Sequence, residues 1–123
     1  MVEDRITDGK RIAQLLASEF TGLRDGPLAD VVVVDADSEA VPSESGTTAY
    51  RIEHRARIVA TVRLYPNFAD LHVDLDLSEP LDDLVDVPDR LDVDGDDILR
   101  ISSGAAVKPA VDVFRALLET VRA

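Results

Sequence analysis

The sequence predicts an α+β fold, a two-layer sandwich in which N- and C-terminal helices pack on the apolar face of an antiparallel sheet of three to four strands. Residues 50 to 77 alternate apolar and polar positions in two runs, which is typical of strands with one buried face. Residues 7 to 21 and 109 to 122 instead repeat apolar side chains every three or four positions, as amphipathic helices do. Helices at both ends of a run of strands predict two packed layers.

The first helix is expected over residues 7 to 21, and its start can be capped by Thr7 or Asp8. Its apolar stripe contains Ile12, Leu15, Leu16 and Phe20. A strand over residues 29 to 36 should follow, built on four consecutive valines. A valine run without alternation favours burial on both faces, or at least a covered position in the sheet. Residues 37 to 46 are then a polar connecting loop.

The stretch Thr48 to Leu77 is predicted to be one long β-hairpin, on which the rest of the chain is organised. Its first strand, residues 50 to 65, would be unusually long for a globular protein. We therefore expect a bend or a bulge within residues 54 to 57.

The turn of this hairpin contains Pro66 and Asn67, two residues that favour turns. A four-residue loop over 66 to 69 would place Leu64 opposite Leu71 and continue that register along both strands. Every apolar residue would then meet another, whereas a slip of one residue would send one apolar set to the wrong face. The same register places Arg63 opposite His72.

Residues 78 to 97 are predicted to be an acidic insertion within one domain, residues 1 to 123. Its Ser-Glu-Pro start favours a short helix beginning near Leu81. Asp94-Gly95 suits a tight turn into a fourth strand over residues 98 to 102. The chain should end in a helix that begins at Pro109, a favoured first position.

The chain is strongly acidic, with a formal net charge of −12 over 123 residues. Aspartate far outnumbers glutamate, and Lys10 and Lys108 are the only lysines among 13 basic residues. Short hydrated carboxylates with few lysine stems suit a protein that stays dissolved in molar salt, where the screening length is about 3 Å. The charge argues against nucleic-acid binding and adhesion to anionic membranes.

Several classes of protein are disfavoured by composition alone. The chain has no cysteine, which excludes disulfides, thiol nucleophiles and zinc–thiolate sites. No apolar run approaches the roughly 18 residues of a membrane span, and the charged N-terminus lacks the apolar core of a signal peptide. We therefore expect a cytoplasmic protein.

The segment Asp4 to Glu19, together with the turn Gly26 to Asp30 and the valine strand after it, resembles an uncharacterised family of small acidic haloarchaeal proteins. That family has no assigned activity. The resemblance therefore implies a halophilic source and transfers no functional residue to this sequence.

One candidate metal site follows the pattern His72-x-Asp74-x-Asp76, which would place an imidazole and two carboxylates on one face of a strand. Such ligands can hold a divalent metal when another element supplies a further ligand. The alternative without a metal ion is a solvated face with cross-strand ion pairs. The acidic run of residues 92 to 97 does not match a calcium loop, because Asp97 stands where glycine is required.

The outer face of the hairpin is predicted to carry a basic stripe, formed by Arg51, Arg55, Arg57 and Arg63. Three explanations remain open. The acidic insertion, residues 78 to 97, can fold over the stripe. An acidic surface of a second chain can cover it. Lastly, a small anionic ligand can bind it, because guanidinium groups match carboxylate and phosphate geometry.

No convergent catalytic set is present. The alternation places His54 on the buried face and His72 on the outer face. The two histidines are thus on opposite faces, which disfavours a histidine-based catalytic triad. The leading hypothesis is a non-enzymatic protein-interaction domain that forms a homodimer and needs no cofactor. The second hypothesis is a binder of a small anionic metabolite through the four arginines, and the third is a metal-dependent enzyme that uses His72.

Overall fold

A computed structural model describes residues 8–22 and 29–121, and an α+β architecture is confirmed there. The helices are α1 (Gly9–Gly22), α2 (Leu81–Leu84) and α3 (Val107–Val121). The strands are β1 (Val31–Val34), β2 (Thr47–His54), β3 (Arg57–Leu64), β4 (Ala69–Val73), β5 (Asp92–Asp94) and β6 (Ile98–Ile101). The Asp8 side chain accepts a hydrogen bond from the Lys10 N–H at 2.9 Å and caps α1, whereas Thr7 lies outside the described residues.

The six strands form one antiparallel sheet in the order β1-β2-β3-β4-β6-β5. The predicted sheet of three to four strands was therefore too small. The additional strands arise because the long predicted strand is divided in two and because the acidic insertion contributes β5, which pairs with β6 as a hairpin.

The long predicted strand is divided by a tight turn at Arg55 and Ala56, whose φ angles are 52° and 66°. Two consecutive positive φ values are the mark of a type I′ hairpin turn. A two-residue turn inverts the alternation of faces, so Arg57 pairs with the buried His54. A bulge at Val59 then inverts the alternation again. Because the two irregularities cancel, the sequence alternates as one strand would.

The hairpin formed by β3 and β4 has the predicted faces but not the predicted partners. Leu64 pairs with Ala69, and Arg63 pairs with Asp70 rather than with His72. Tyr65 closes the turn by donating its N–H to the Phe68 carbonyl at 3.0 Å. The register is thus shifted by two residues, which changes every partner and preserves every face.

The valine strand β1 is an edge strand, which corrects the prediction of a strand covered on both faces. Val31 is buried, whereas the side chain of Val32 is 50% exposed on the face turned away from α1 and α3. Among the described residues β1 pairs only with β2, so its other edge carries no strand.

Both long helices pack on one face of the sheet. α1 lies against β1, β3 and β4, and α3 lies against α1 and β6. Phe20 of α1 meets Phe114 of α3 edge to face, with ring centroids 5.6 Å apart. Full burial of such side chains is the main stabilising contribution to this layer. No helix in the described part of the chain is long and apolar enough to span a bilayer.

Candidate functional site

The arginines of the predicted stripe do not share one face. Arg51 and Arg63 lie on the outer face, the one turned away from the helices, and Arg55 lies in the β2–β3 turn. Arg57 pairs with the buried His54 and so belongs to the helix-side face at the end of the sheet. The stripe fails because the turn and the bulge interrupt the alternation on which it was based.

Three of these arginines hold carboxylates of this chain. Arg55 Nε lies 3.0 Å from Asp30, and Arg51 Nη1 lies 3.4 Å from Asp35. The Arg51 pair joins β2, and the Arg55 pair joins the β2–β3 turn, to residues that flank β1. Both pairs are solvent-exposed, so each contributes about 1 kcal/mol or less.

The acidic insertion supplies no ion-pair partner to the four arginines among the residues that the structure describes. The third paired arginine, Arg63, lies 3.7 Å from Asp70 of β4. The explanation in which residues 78 to 97 cover the stripe therefore lacks support.

Val32 and Ile58 lie in one cross-strand row on the outer face, with Glu53 between them. The bulge explains this row, because it buries Val59 to 1% exposure and turns Ile58 outward to 38%. We name Val32, Glu53 and Ile58 the β1–β3 patch. Val32 lies on the edge strand β1, and Ile58 lies two strands further in, on β3.

A second row on the outer face is ionic and runs across three strands. Arg63, Asp70 and Arg100 are direct cross-strand neighbours, and Asp70 is only 2% exposed. Arg100 lies over the ring of Phe68 at 4.4 Å, and that ring stacks on Tyr65. We name Arg63, Asp70 and Arg100 the Asp70 cluster.

The Asp70 cluster is held by charge more than by short hydrogen bonds. Its ion-pair distances are 3.7 Å to Arg63 and 3.9 Å to Arg100, whose Nη2 lies closer, at 3.1 Å, to Asp94. Burial raises the pKa of Asp70, against the opposing effects of the Tyr65 hydroxyl and both guanidinium groups. Asp70 itself is buried beside the two arginines, which favours a structural role.

His72, Asp74 and Asp76 do not form the predicted row of ligands. β4 ends at Val73, so the alternation that would align the two aspartates with His72 is not continued. The His72 ring lies 3.1 Å from Asp97 and 3.7 Å from Asp74. No group of three His, Cys, Asp or Glu residues among the described ranges could hold a metal ion. The metal hypothesis thus gains no support.

A half-open cavity of about 270 Å³ lies between α1 and the β1–β2 hairpin. Its wall is apolar and built from small or flat side chains, namely Ala13, Ala17, Val33, Ala49, Tyr50 and Leu64. Lys10, Gln14 and Asp37 stand among the polar residues of its lining. We name this space the α1 cavity.

The Tyr50 hydroxyl donates a hydrogen bond to the Ala13 carbonyl at 2.7 Å, which joins the two walls of the α1 cavity. Burial strongly raises the pKa of this phenol, so it stays neutral. The ring therefore presents an apolar surface to the cavity and leaves no donor unsatisfied.

A family model matches residues 1–123. The chain belongs to DUF7993, a family of unknown function. The predicted membership of a family with no assigned activity is thereby confirmed. No curated protein and no solved structure matches the chain significantly.

Two features of this DUF7993 chain were not predicted from its sequence. The Asp70 cluster joins residues up to 37 positions apart on an outer face, where the alternation indicates solvent. The α1 cavity is lined by alanines from a helix and a strand, and alanine carries no signal for a binding site. A two-residue turn in place of the predicted four-residue loop would have paired Arg63 with Asp70. No local sequence pattern would have indicated the cavity.

Proposed function

We propose that this chain is a non-enzymatic interaction domain that forms a homodimer through the β1–β3 patch. The observation that carries the proposal is Val32, half exposed in the middle of an edge strand that contains no charge, proline or bulge. Sheet edges are ordinarily protected by such devices, and an unprotected apolar edge favours pairing with another strand.

Symmetry suits this edge to a second copy of the chain. In an antiparallel pair, opposite residues share a face, so a two-fold axis at Val32 keeps the outer face continuous across both sheets. The two Val32 side chains then lie about 5 Å apart at the centre of the contact. In each copy Glu53 comes next in this row, and Ile58 follows it on β3.

Charge also favours this surface over the rest of the molecule. Beside the patch, Asp35 neutralises the charge of Arg51, and Asp30 neutralises that of Arg55. Glu53 is then the one charged residue of the patch itself. The whole chain carries a net charge of −12, so most of the repulsion between two copies arises elsewhere. We expect association to strengthen with salt, because the screening length falls from about 10 Å at 0.1 M to about 3 Å at 1 M.

The alternative functions have weaker support. An anionic metabolite would have to displace carboxylates that already hold Arg51, Arg55 and Arg63. The enzyme hypothesis depends on His72, whose ring contacts two carboxylates on an open face. Neither arrangement has the concave, convergent form of a ligand site.

The test is the molar mass of the chain by light scattering, at two protein concentrations and at about 0.1 M and 1 M KCl. The unmodified chain should have twice the monomer mass, most completely in high salt. Val32→Glu and Val32→Lys should each be monomeric, because like charges would meet at the two-fold axis. An equimolar mixture of the two variants, at the lower salt concentration, should recover the doubled mass.

Val41 provides the matched control, because it is an apolar side chain 69% exposed in the loop between β1 and β2. Val41→Glu and Val41→Lys should dimerise as the unmodified chain does. A monomeric unmodified chain in 1 M KCl would overturn the proposal. So would a dimer that survives both Val32 substitutions, since that dimer would use another surface.

A further inference from the structure

We propose that the α1 cavity is a binding site for a small apolar monocarboxylate, with Lys10 as the residue that binds the carboxylate. The proposal does not depend on dimerisation, because the cavity lies on the helix side of the sheet and the β1–β3 patch lies on the outer side. It concerns a class of ligand, an anionic head on an apolar body, rather than one compound.

The volume of the cavity suits such a ligand. An engineered protein cavity of about 150 Å³ accepts benzene, and the α1 cavity measures about 270 Å³. It therefore has room for a ring or a branched chain together with a short head group. It falls just below the range of about 300–1,000 Å³ typical of sites for drug-sized ligands.

The wall of the cavity selects an apolar body. Ala13 and Ala17 lie one turn apart on α1 and face Ala49 of β2 across the space. Three methyl groups at these positions leave a gap that larger side chains would close. The Tyr50 hydroxyl already donates its hydrogen bond to the Ala13 carbonyl, so it does not need a polar ligand as an acceptor.

Lys10 gives the cavity its charge selectivity. Its ammonium group donates to the Ser38 carbonyl at 3.1 Å and forms no ion pair with any residue that the structure describes. A lysine ammonium has three donors, so two remain for a ligand. A carboxylate bound in the cavity would give this ammonium a charge-assisted hydrogen bond, which is stronger than a bond between neutral groups.

Asp37 is the one carboxylate among the lining residues, and it forms hydrogen bonds with backbone groups of the chain. Its Oδ1 accepts a hydrogen bond from the Glu39 N–H at 3.0 Å, and its own N–H donates to the Ala49 carbonyl at 2.9 Å. The carboxylate thus caps its own turn. The head-group position is consequently cationic, and the ligand a carboxylate rather than an amine.

The experiment is a titration followed by NMR, with phenylacetate and 4-methylpentanoate as probes. Phenylacetamide tests the charge of the head, and 2-phenylethylamine tests its sign. Both carboxylates should shift the methyl signals of Ala13, Ala17 and Ala49. The amide should bind about tenfold more weakly, the effect of losing one charge-assisted hydrogen bond.

Two variants and a control locate the site. Lys10→Met keeps the aliphatic stem and should weaken phenylacetate binding about tenfold while leaving phenylacetamide unchanged. Ala17→Leu keeps a good helix former on α1 and should abolish binding of both probes by filling the cavity. Lys108→Met, at the chain's other lysine, should bind as the unmodified chain does. Urea unfolding checks that each variant is folded.

Three results would overturn the proposal. The first is the absence of methyl shifts with either carboxylate at millimolar concentration. The second is 2-phenylethylamine binding as tightly as phenylacetate, which would assign the head-group position to Asp37. The third is a change of molar mass on Ala17→Leu without an effect on the probes, which would make the cavity a contact between copies of the chain.

Discussion

Gly9 is the residue at which α1 comes closest to the sheet, so we expect Gly9→Ala to destabilise the protein strongly. A Cβ atom there would lie less than 3.0 Å from the backbone carbonyl oxygens of Tyr65 and Phe68, a separation that real Cβ atoms essentially never show. The Gly9 N–H donates to the Pro66 carbonyl of the same loop at 3.4 Å. Because the atoms that block the new methyl group are backbone atoms and not flexible side chains, the start of α1 must move away.

That movement would loosen Ile12 and Leu16, two α1 side chains that are completely buried in the core. Overpacking typically costs about 1–3 kcal/mol, and two rigid carbonyl groups place this site in the upper part of that range. The better helix propensity of alanine returns at most about 1 kcal/mol. We expect a net loss of about 2 kcal/mol, out of a total stability of about 5–15 kcal/mol.

The assay is urea unfolding followed by circular dichroism, in KCl. With a slope of about 1–3 kcal/mol per molar urea, the midpoint for Gly9→Ala should fall by about 1 M. Gly22→Ala is the matched control at the other end of α1, where a Cβ atom meets nothing within 4 Å, and its midpoint should stay or rise. A loss smaller than about 0.5 kcal/mol in Gly9→Ala would refute the argument that this contact positions α1.

The same unfolding assay tests three further features. Val59→Ala should lose about 2 kcal/mol and Ile58→Ala less than about 0.5 kcal/mol, because the bulge buries the first and exposes the second; equal losses would contradict the bulge. Tyr50→Phe should lose about 1 kcal/mol with its one hydrogen bond to Ala13, and no loss would mean that this bond does not stabilise the fold. For Asp70, a raised folded pKa means that the native state binds the proton more tightly than the unfolded chain, whose reference value is 3.8. Stability should therefore fall as pH rises from 3.8 through the folded pKa, and Asp70→Asn should remove that fall; a difference curve of opposite slope would refute the burial argument.

The hairpin shows how far a sequence pattern predicts this fold. The alternation from Tyr50 to Leu64 correctly predicted the buried face of both strands, apart from Ile58, which is exposed, and Val59, which is buried. The length of the predicted strand correctly placed an irregularity within residues 54 to 57, but a bend or bulge was expected there rather than a reversing turn. Arg55 and Ala56 are neither glycine nor asparagine, the residues that favour the positive φ of such a turn. The inversion of faces at this turn is undone at Val59, so no break in the alternation remained to be detected.

The candidate sites were less predictable than the strands. Asp70 occupies an outer-face position, and its burial depends on Arg63 and Arg100, which are brought beside it only by the pairing of three strands. Val32 points to the outer face of an edge strand, and a run of four valines indicates neither the face nor the edge. Each site thus depends on which element lies next to which.

The sequence by itself determined the types of element, the helix faces, most of the sheet's buried positions and the strongly negative charge. These follow from periodicity and composition, which are properties of neighbouring residues. Only the tertiary structure decided the strand order, the two-residue shift in register, the charge pairs of Arg51 and Arg55, and the cavity beside Lys10. Those features arise between segments distant in the chain, where several pairings keep the same apolar face and only complete packing selects one of them.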